Sequence, residues 1–326
     1  MEKIRIALGN KGAGTAPVFA AVEGGYFREQ GLEAELIAHQ GHSRSLAALI
    51  AGEADFTNAV GPEVIMANQR HQGDAVIIAS ATSRSAQQIS ARPGLRTREQ
   101  LRGKRWGILA RNDADECSIV MAFERWGWDR RKDAEIVVVG SDKSRLDLLL
   151  DERRVDVAIM HAPEPFQAAK RGWTMIEDLG RLDVAFQNSC AATTRRLLRE
   201  RPDTALRYVR AYCRGVYRFR TDAAFGIAVL RKYTGESDAA VLEDSWMLFA
   251  RLMGGMMYPS VEGMRNASHV LAELGAIPRP LPPEDSIDLG IVAAVEREGY
   301  FATVLGLAHA PVDKPFPAQP RTGAQP

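Results

Sequence analysis

A chain of 326 residues, 46% hydrophobic and 25% charged, has the composition of an ordinary globular protein with room for two cores. Its 42 basic and 41 acidic side chains leave a net charge of +1, so no global field draws in nucleic acid or an anionic membrane. Cys117, Cys190 and Cys213 are too few and too scattered for a disulfide framework or a zinc site; buried, reduced, metal-free thiols are expected.

Strand and helix signals alternate from the start. Ile4–Leu8 is an apolar strand, followed by Gly9-Asn10-Lys11-Gly12-Ala13-Gly14-Thr15 and then by Val18, Phe19, Ala21, Val22 and Phe27 at helical spacing. Gly31 ends that helix. Strands at 33–38, 55–59 and 75–81 enclose helices at 43–52 and 62–71. The rhythm restarts with strands at 106–109, 135–139 and 155–160 around helices at 112–126 and 143–151. Two such runs predict two α/β lobes, each a mainly parallel sheet flanked by helices.

Residues 197–275 read as helix throughout, with Leu206, Val209, Tyr212, Val216 and Phe219 on one stripe. Four prolines between Pro278 and Pro283 mark a linker, and a last helix covers about 286–299. The Pro-rich, polar tail 311–326 reads as disordered. No stretch reaches the ~18 consecutive apolar residues that span a bilayer, so membrane insertion is not expected. The chain runs into its first strand directly after Met1, without the basic and apolar regions of a leader. As written it reads as cytoplasmic, and as periplasmic if a leader was removed.

Four segments resemble one known family. They are Ala20–Leu32 (AAVEGGYFREQGL), Leu46–Asp55 (LAALIAGEAD), Leu101–Ile108 (LRGKRWGI) with the helix up to Trp126-Gly127-Trp128, and Leu148–Ala158 (LLLDERRVDVA). Arg201-Pro202-Asp203 and Lys232-Tyr233-Thr234-Gly235 follow in the expected order. Together they resemble the nitrate/sulfonate/taurine-type substrate-binding proteins of ABC importers, a family that includes thiamine-pyrimidine synthases. The resemblance implies a type 2 periplasmic-binding-protein clamshell. Lobe 1 would be 1–87 plus 190–275, lobe 2 would be 88–189, and 276–310 a linker and C-terminal helix. Crossovers at Gln87–Ala91 and Phe186–Ala192 would form the hinge. The cysteine-rich iron motif of the synthase branch is absent.

In doubly wound sheets ligands bind beyond the carboxyl ends of strands, where loops enter helices. That rule selects Asn10, Gly12 and Thr15 after the first strand, whose Gly-rich backbone suits a carboxylate, sulfonate or phosphate, or is a plain turn. After the second come His39, Gln40, His42 and Ser43; a capping serine among polar turn residues is expected there rather than a metal site. Asn58 and Gly61 follow the third strand and Ser83 the fourth. In the second run, Arg111, Asn112, Asp113 and Asp115 precede a helix. Arg111 is a candidate anion clamp or a surface ion pair, and Asp113 a candidate helix cap. His161 and Glu164 close the set.

Two functions fit these residues. One is a binder of a small organic anion, with an ABC permease as the implied partner. The other is a cofactor-free enzyme on the same scaffold, such as an aromatic-acid decarboxylase or desulfinase, with His161, Glu164 or His42 as acid or base. Neither calls for a cofactor or metal.

Overall fold

The computed structural model describes residues 1–139, 145–151 and 154–306. The tail 311–326 and the start of the helix expected from Lys143 lie outside them. The chain begins β1 (Glu2–Leu8), α1 (Ala16–Glu23), α2 (Tyr26–Glu29), β2 (Leu32–Ala38), α3 (His42–Ala51), β3 (Phe56–Ala59), α4 (Gly61–His71) and β4 (Ala75–Ser80). It crosses into β5 (Gln87–Ala91), β6 (Lys104–Ile108), α5 (Ala114–Trp126), α6 (Arg130–Asp133), β7 (Ala134–Val138), α7 (Arg145–Leu149), β8 (Val157–His161), α8 (Glu164–Lys170) and β9 (Thr174–Asp178). It returns through β10 (Cys190–Thr194), α9 (Arg195–Glu200), α10 (Pro202–Thr221), α11 (Ala223–Thr234), α12 (Ala239–Leu252), α13 (Val261–Glu273), α14 (Gly290–Arg297) and α15 (Tyr300–Thr303).

Two five-stranded sheets result, in the orders β2-β1-β3-β10-β4 and β7-β6-β8-β5-β9. This is the two-lobed α/β architecture expected from the sequence. Both sheets are mixed: β10 runs antiparallel to β3 and β4, and β5 antiparallel to β8 and β9. The segments expected as crossovers at 87–91 and 186–192 thus become, in large part, inner strands. Gln87, Gln88 and Ser90 give β5 no apolar run, yet it is buried over its whole length. The crossing lies beside them, where the Phe186 N–H donates to the Ser83 carbonyl and the Asn188 N–H to the Thr82 carbonyl.

Each sheet is packed on both faces. In the first lobe α1 and α10 cover one face, with Phe19, Phe27, Phe56, Tyr208 and Tyr212 fully or almost fully buried. Gly215 admits that contact, since a Cβ there would stand 2.7 Å from the Ala21 nitrogen and 2.8 Å from the Pro17 carbonyl oxygen. On the other face α3, α4 and α13 bury Leu46, Leu49, Val64 and Leu271. The proline-rich stretch is flanked by buried Ile277 and Ile287, and Val292, Val295 and Phe301 join the α10 core. The C-terminal helices are therefore part of the first lobe's packing.

The lobes touch along two seams. On one, Ala114, Cys117, Val120 and Met121 of α5 share a cluster with Val60, Val64 and Met264. On the other, α8 meets α12 and the turn before it: Gln167 Nε2 donates to Glu236 Oε2 at 2.6 Å, and Lys170 pairs with Asp238. Between the seams lie the strand ends. Cys117, Cys190 and Cys213 are buried, as expected, and none is in a disulfide among the described residues. Among the described residues no helix is long and apolar enough to cross a membrane.

Candidate functional site

The first lobe's wall begins where β1 ends. Gly9 lies so close to the start of α3 that a Cβ would stand 2.7 Å from the His42 nitrogen. That contact places the His42 ring over the Gly-rich turn. Asn10 Oδ1 accepts from the Gly12 N–H at 2.9 Å and lies 3.1 Å from the Thr15 hydroxyl. Asn10 Nδ2 is 3.0 Å from His42 Nε2, and His42 Nδ1 is 3.2 Å from the Asn58 carbonyl oxygen. Asn58 is itself buried, and its Oδ1 has no partner. Five of the predicted residues, Asn10, Gly12, Thr15, His42 and Asn58, therefore form one network.

The second lobe's wall is ionic. Asp113 caps α5, accepting from the Glu116 N–H at 3.0 Å, as one of its two expected roles required. Asp115, in the first turn, is 3% exposed, and its Oδ1 lies 2.6 Å from His161 Nε2 at the end of β8. The His161 N–H donates to Glu164 Oε2 at 3.1 Å. Asn112 adopts a left-handed backbone (φ 62°), and its N–H donates to Glu116 Oε2 at 2.7 Å. Arg111 donates from Nη1 to Glu116 Oε1 at 2.7 Å and from Nη2 to the Ile136 carbonyl at 3.2 Å. These two contacts engage one N–H on each terminal nitrogen of the five-donor guanidinium.

The walls meet at two points. The Ala13 N–H donates to the Ala162 carbonyl at 3.3 Å, joining the Gly-rich turn to the residue after His161. The Ala114 N–H donates to Glu63 Oε1 at 3.2 Å, joining α5 to α4. Burial pushes the Glu63 carboxyl well above the usual carboxylate range, and Asp113 and Asp115 add to the rise. Its Oε2 is shielded from solvent without a partner.

The remaining predicted residues lie apart. The His39 N–H continues the β1–β2 ladder to the Leu8 carbonyl, Gln40 accepts from Arg44, and Ser83 is exposed. Gly61 is a packing glycine, where a Cβ would meet Met264 Sδ at 2.7 Å. Ser43 does not cap α3: the helix starts at His42 after Gly41, which places the serine inside the first turn. Sequence reasoning missed Glu63, because the strand-end rule stops at the loop and Glu63 lies in the helix beyond it. It also missed Ser189, whose hydroxyl donates to the Gly14 carbonyl, and the buried hydroxyl of Tyr212. Ser189 belongs to a crossing segment, and Tyr212 reads simply as part of an apolar stripe.

Known proteins share this frame. The periplasmic aliphatic sulphonate binding protein SsuA from Escherichia coli superposes with a TM-score of 0.73 at 15% identity, covering 88% of this chain and 92% of its own. The alkanesulfonate-binding protein SsuA from Xanthomonas axonopodis pv. citri, bound to MOPS, gives 0.72 at 13% identity over 89% and 99%. The desulfurization enzyme DszB, in a mutant form complexed with biphenyl-2-sulfinic acid, gives 0.63 at 14% identity over 91% and 99%. No curated protein gives a significant sequence match. The family model described as NMT1/THI5 like matches residues 13–221, well over half of the chain. The chain thus belongs to the NMT1/THI5-like family.

Proposed function

We propose that this protein is a substrate-binding protein of the importer type that closes its lobes on a small organic anion, a sulfonate or a carboxylate. The observation that carries the reading is the convergence of both lobes' strand ends at the Ala13–Ala162 contact, with backbone amides and hydroxyls on one side and the Asp115–His161 pair on the other. The Gly12 and Ala13 N–H groups now donate to Asn10 and Ala162, and an oxyanion entering the cleft would take the place of the Ala162 carbonyl at Ala13. The SsuA proteins, named for sulfonate binding, share the fold over nearly their whole length, which favours the same class of ligand here. A permease partner and a periplasmic location accompany this reading.

A ligand that binds only the folded state raises the melting temperature by mass action. Thermal unfolding with a panel of alkanesulfonates, arenesulfonates and carboxylates is expected to pick out at least one that stabilises the protein. Stabilisation by amines alone would reject the anion. One observation supports a second reading as an enzyme: a buried carboxylate orients a histidine in the cleft, the arrangement of a positioned base. Incubating the protein with an arenesulfinate and assaying sulfite separates the two. Recovery of the intact sulfinate favours the binder.

A further inference from the structure

We propose that His42 is a positioning residue, a neutral imidazole protonated at Nδ1 that locks the Gly-rich turn through Asn10. The hydrogen-bond network runs between two backbone groups whose polarity is beyond choice. At one end the Gly12 N–H can only donate, so the oxygen of the Asn10 amide must face it. The Asn10 nitrogen is then the atom turned to the ring, 3.0 Å from Nε2, and it can only donate. At the other end the Asn58 carbonyl can only accept, so the ring nitrogen 3.2 Å away, Nδ1, must carry a proton. One tautomer satisfies both ends: hydrogen on Nδ1, a lone pair on Nε2.

The alternatives each break a link. A ring protonated only at Nε2 points a lone pair at the Asn58 carbonyl and an N–H at the Asn10 N–H. An imidazolium keeps the Asn58 bond but still sets two donors against each other. Rotating the Asn10 amide to relieve that clash turns its NH2 toward the Gly12 N–H and removes an acceptor from the Thr15 hydroxyl. The ring's hydrogen-bonding state and the shape of residues 10–15 are therefore one variable. Gly9 lets the backbone at His42 approach this closely, and the buried Asn58 anchors the far end.

The inference rests on the proposed function only in taking this turn as a wall of the site; the ring's state is measured without ligand. In uniformly 15N-labelled protein near neutral pH, where histidine states are distinguishable, long-range 1H–15N correlations report the tautomer of each imidazole. The signals lost in His42→Ala identify His42. Wild type is expected to show the Nδ1–H form. Asn10→Asp keeps an oxygen for Gly12 and Thr15 but replaces the donor facing the ring with an acceptor, so His42 should carry protons on both nitrogens. Amide exchange at residues 12–15 should speed up at least about tenfold in His42→Ala, one decade being about 1.4 kcal/mol of opening free energy. It should stay near wild type in Asn10→Asp. An Nε2–H tautomer or an imidazolium in wild type, an unchanged neutral ring in Asn10→Asp, or unaltered exchange in His42→Ala would each overturn the assignment.

Discussion

The two lobes are alike at their far edges and unlike where they face each other. In the first, Asp55 just before β3 accepts from the Arg5 N–H at 2.8 Å and pairs with the Arg201 guanidinium. In the second, Asp156 just before β8 accepts from the Arg105 N–H at 3.1 Å and pairs with Arg105 and Arg92. The same residue type thus staples the middle of each sheet at the end remote from the cleft. At the cleft the likeness stops: the first lobe offers a neutral hydrogen-bond relay, the second a run of carboxylates with His161. The shared staples serve stability, and the proposed recognition falls on what the lobes do not share.

The largest expected effect breaks the shared part. Asp156 is 8% exposed on its side chain and holds two arginines, so Asp156→Ala should cost about 2–3 kcal/mol in urea unfolding. Asp55→Ala should behave in kind; a negligible cost there would end the equivalence of the two staples. Hydrogen bonds from Arg105 lead in holding the Asp156 carboxyl below the usual range. Glu2, beside Asp55, is opposed by burial, but bonds from Arg201, Arg207 and Thr204 outweigh it and bring its carboxyl down to about 2. Both folded values lie below the unfolded ones, near 4. Their stabilisation is therefore complete above about pH 4 and lost as the pH falls toward 2. Circular dichroism should place acid unfolding in that window, with a shallower slope in Glu2→Gln.

The next effect sharpens the contrast at the cleft. Asp115→Asn removes the charge that orients His161, and affinity for a ligand found in the thermal panel should fall by about tenfold, or 1.4 kcal/mol, by calorimetry. Unchanged affinity would place His161 outside the site.

Glu63→Gln is expected to act with the opposite sign, on stability. Its folded carboxyl value is raised, so wild type loses stability as the pH climbs above the unfolded value near 4.3. The glutamine variant should therefore gain stability relative to wild type on going from pH 5 to pH 8, read as a rising difference in urea midpoint. A constant difference between the two across that range would show that Glu63 is ionised and solvated.

Arg111→Ala should have the smallest effect. Its guanidinium already faces Glu116, which Arg130 also holds at 3.2 Å, and half of its side chain is exposed. Affinity should change by less than about threefold and stability by about 0.5 kcal/mol. A tenfold loss of affinity would show that the ligand pairs with the arginine directly.

Much of the fold was legible because local signals agree. Alternating apolar strands and helical stripes mark β1 to β4 and β6 to β8, and the glycines after helices mark their ends; Gly52, Gly127 and Gly235 are all left-handed caps. β5, β9 and β10 were not legible as strands. Each is short and carries polar residues; β5 and β10 owe their burial to neighbours far along the chain, and β9 is only half-buried.

The sequence alone determined the two-lobed α/β plan and the loops that enter the cleft, because hydrophobic period and turn chemistry act between residues near in sequence. Tertiary structure decided which of those loop residues meet. The contact of Asp115 with His161 spans 46 positions, that of Glu63 with Ala114 spans 51, and the Asn10–His42 link spans 32. Hydrogen bonds of a few ångströms depend on how β-strands from distant segments register in one sheet and how one sheet faces the other. No local pattern encodes that geometry, so these links emerge only when the distant strands and helices of each lobe, and for Glu63 and Ala114 of both lobes, are in place.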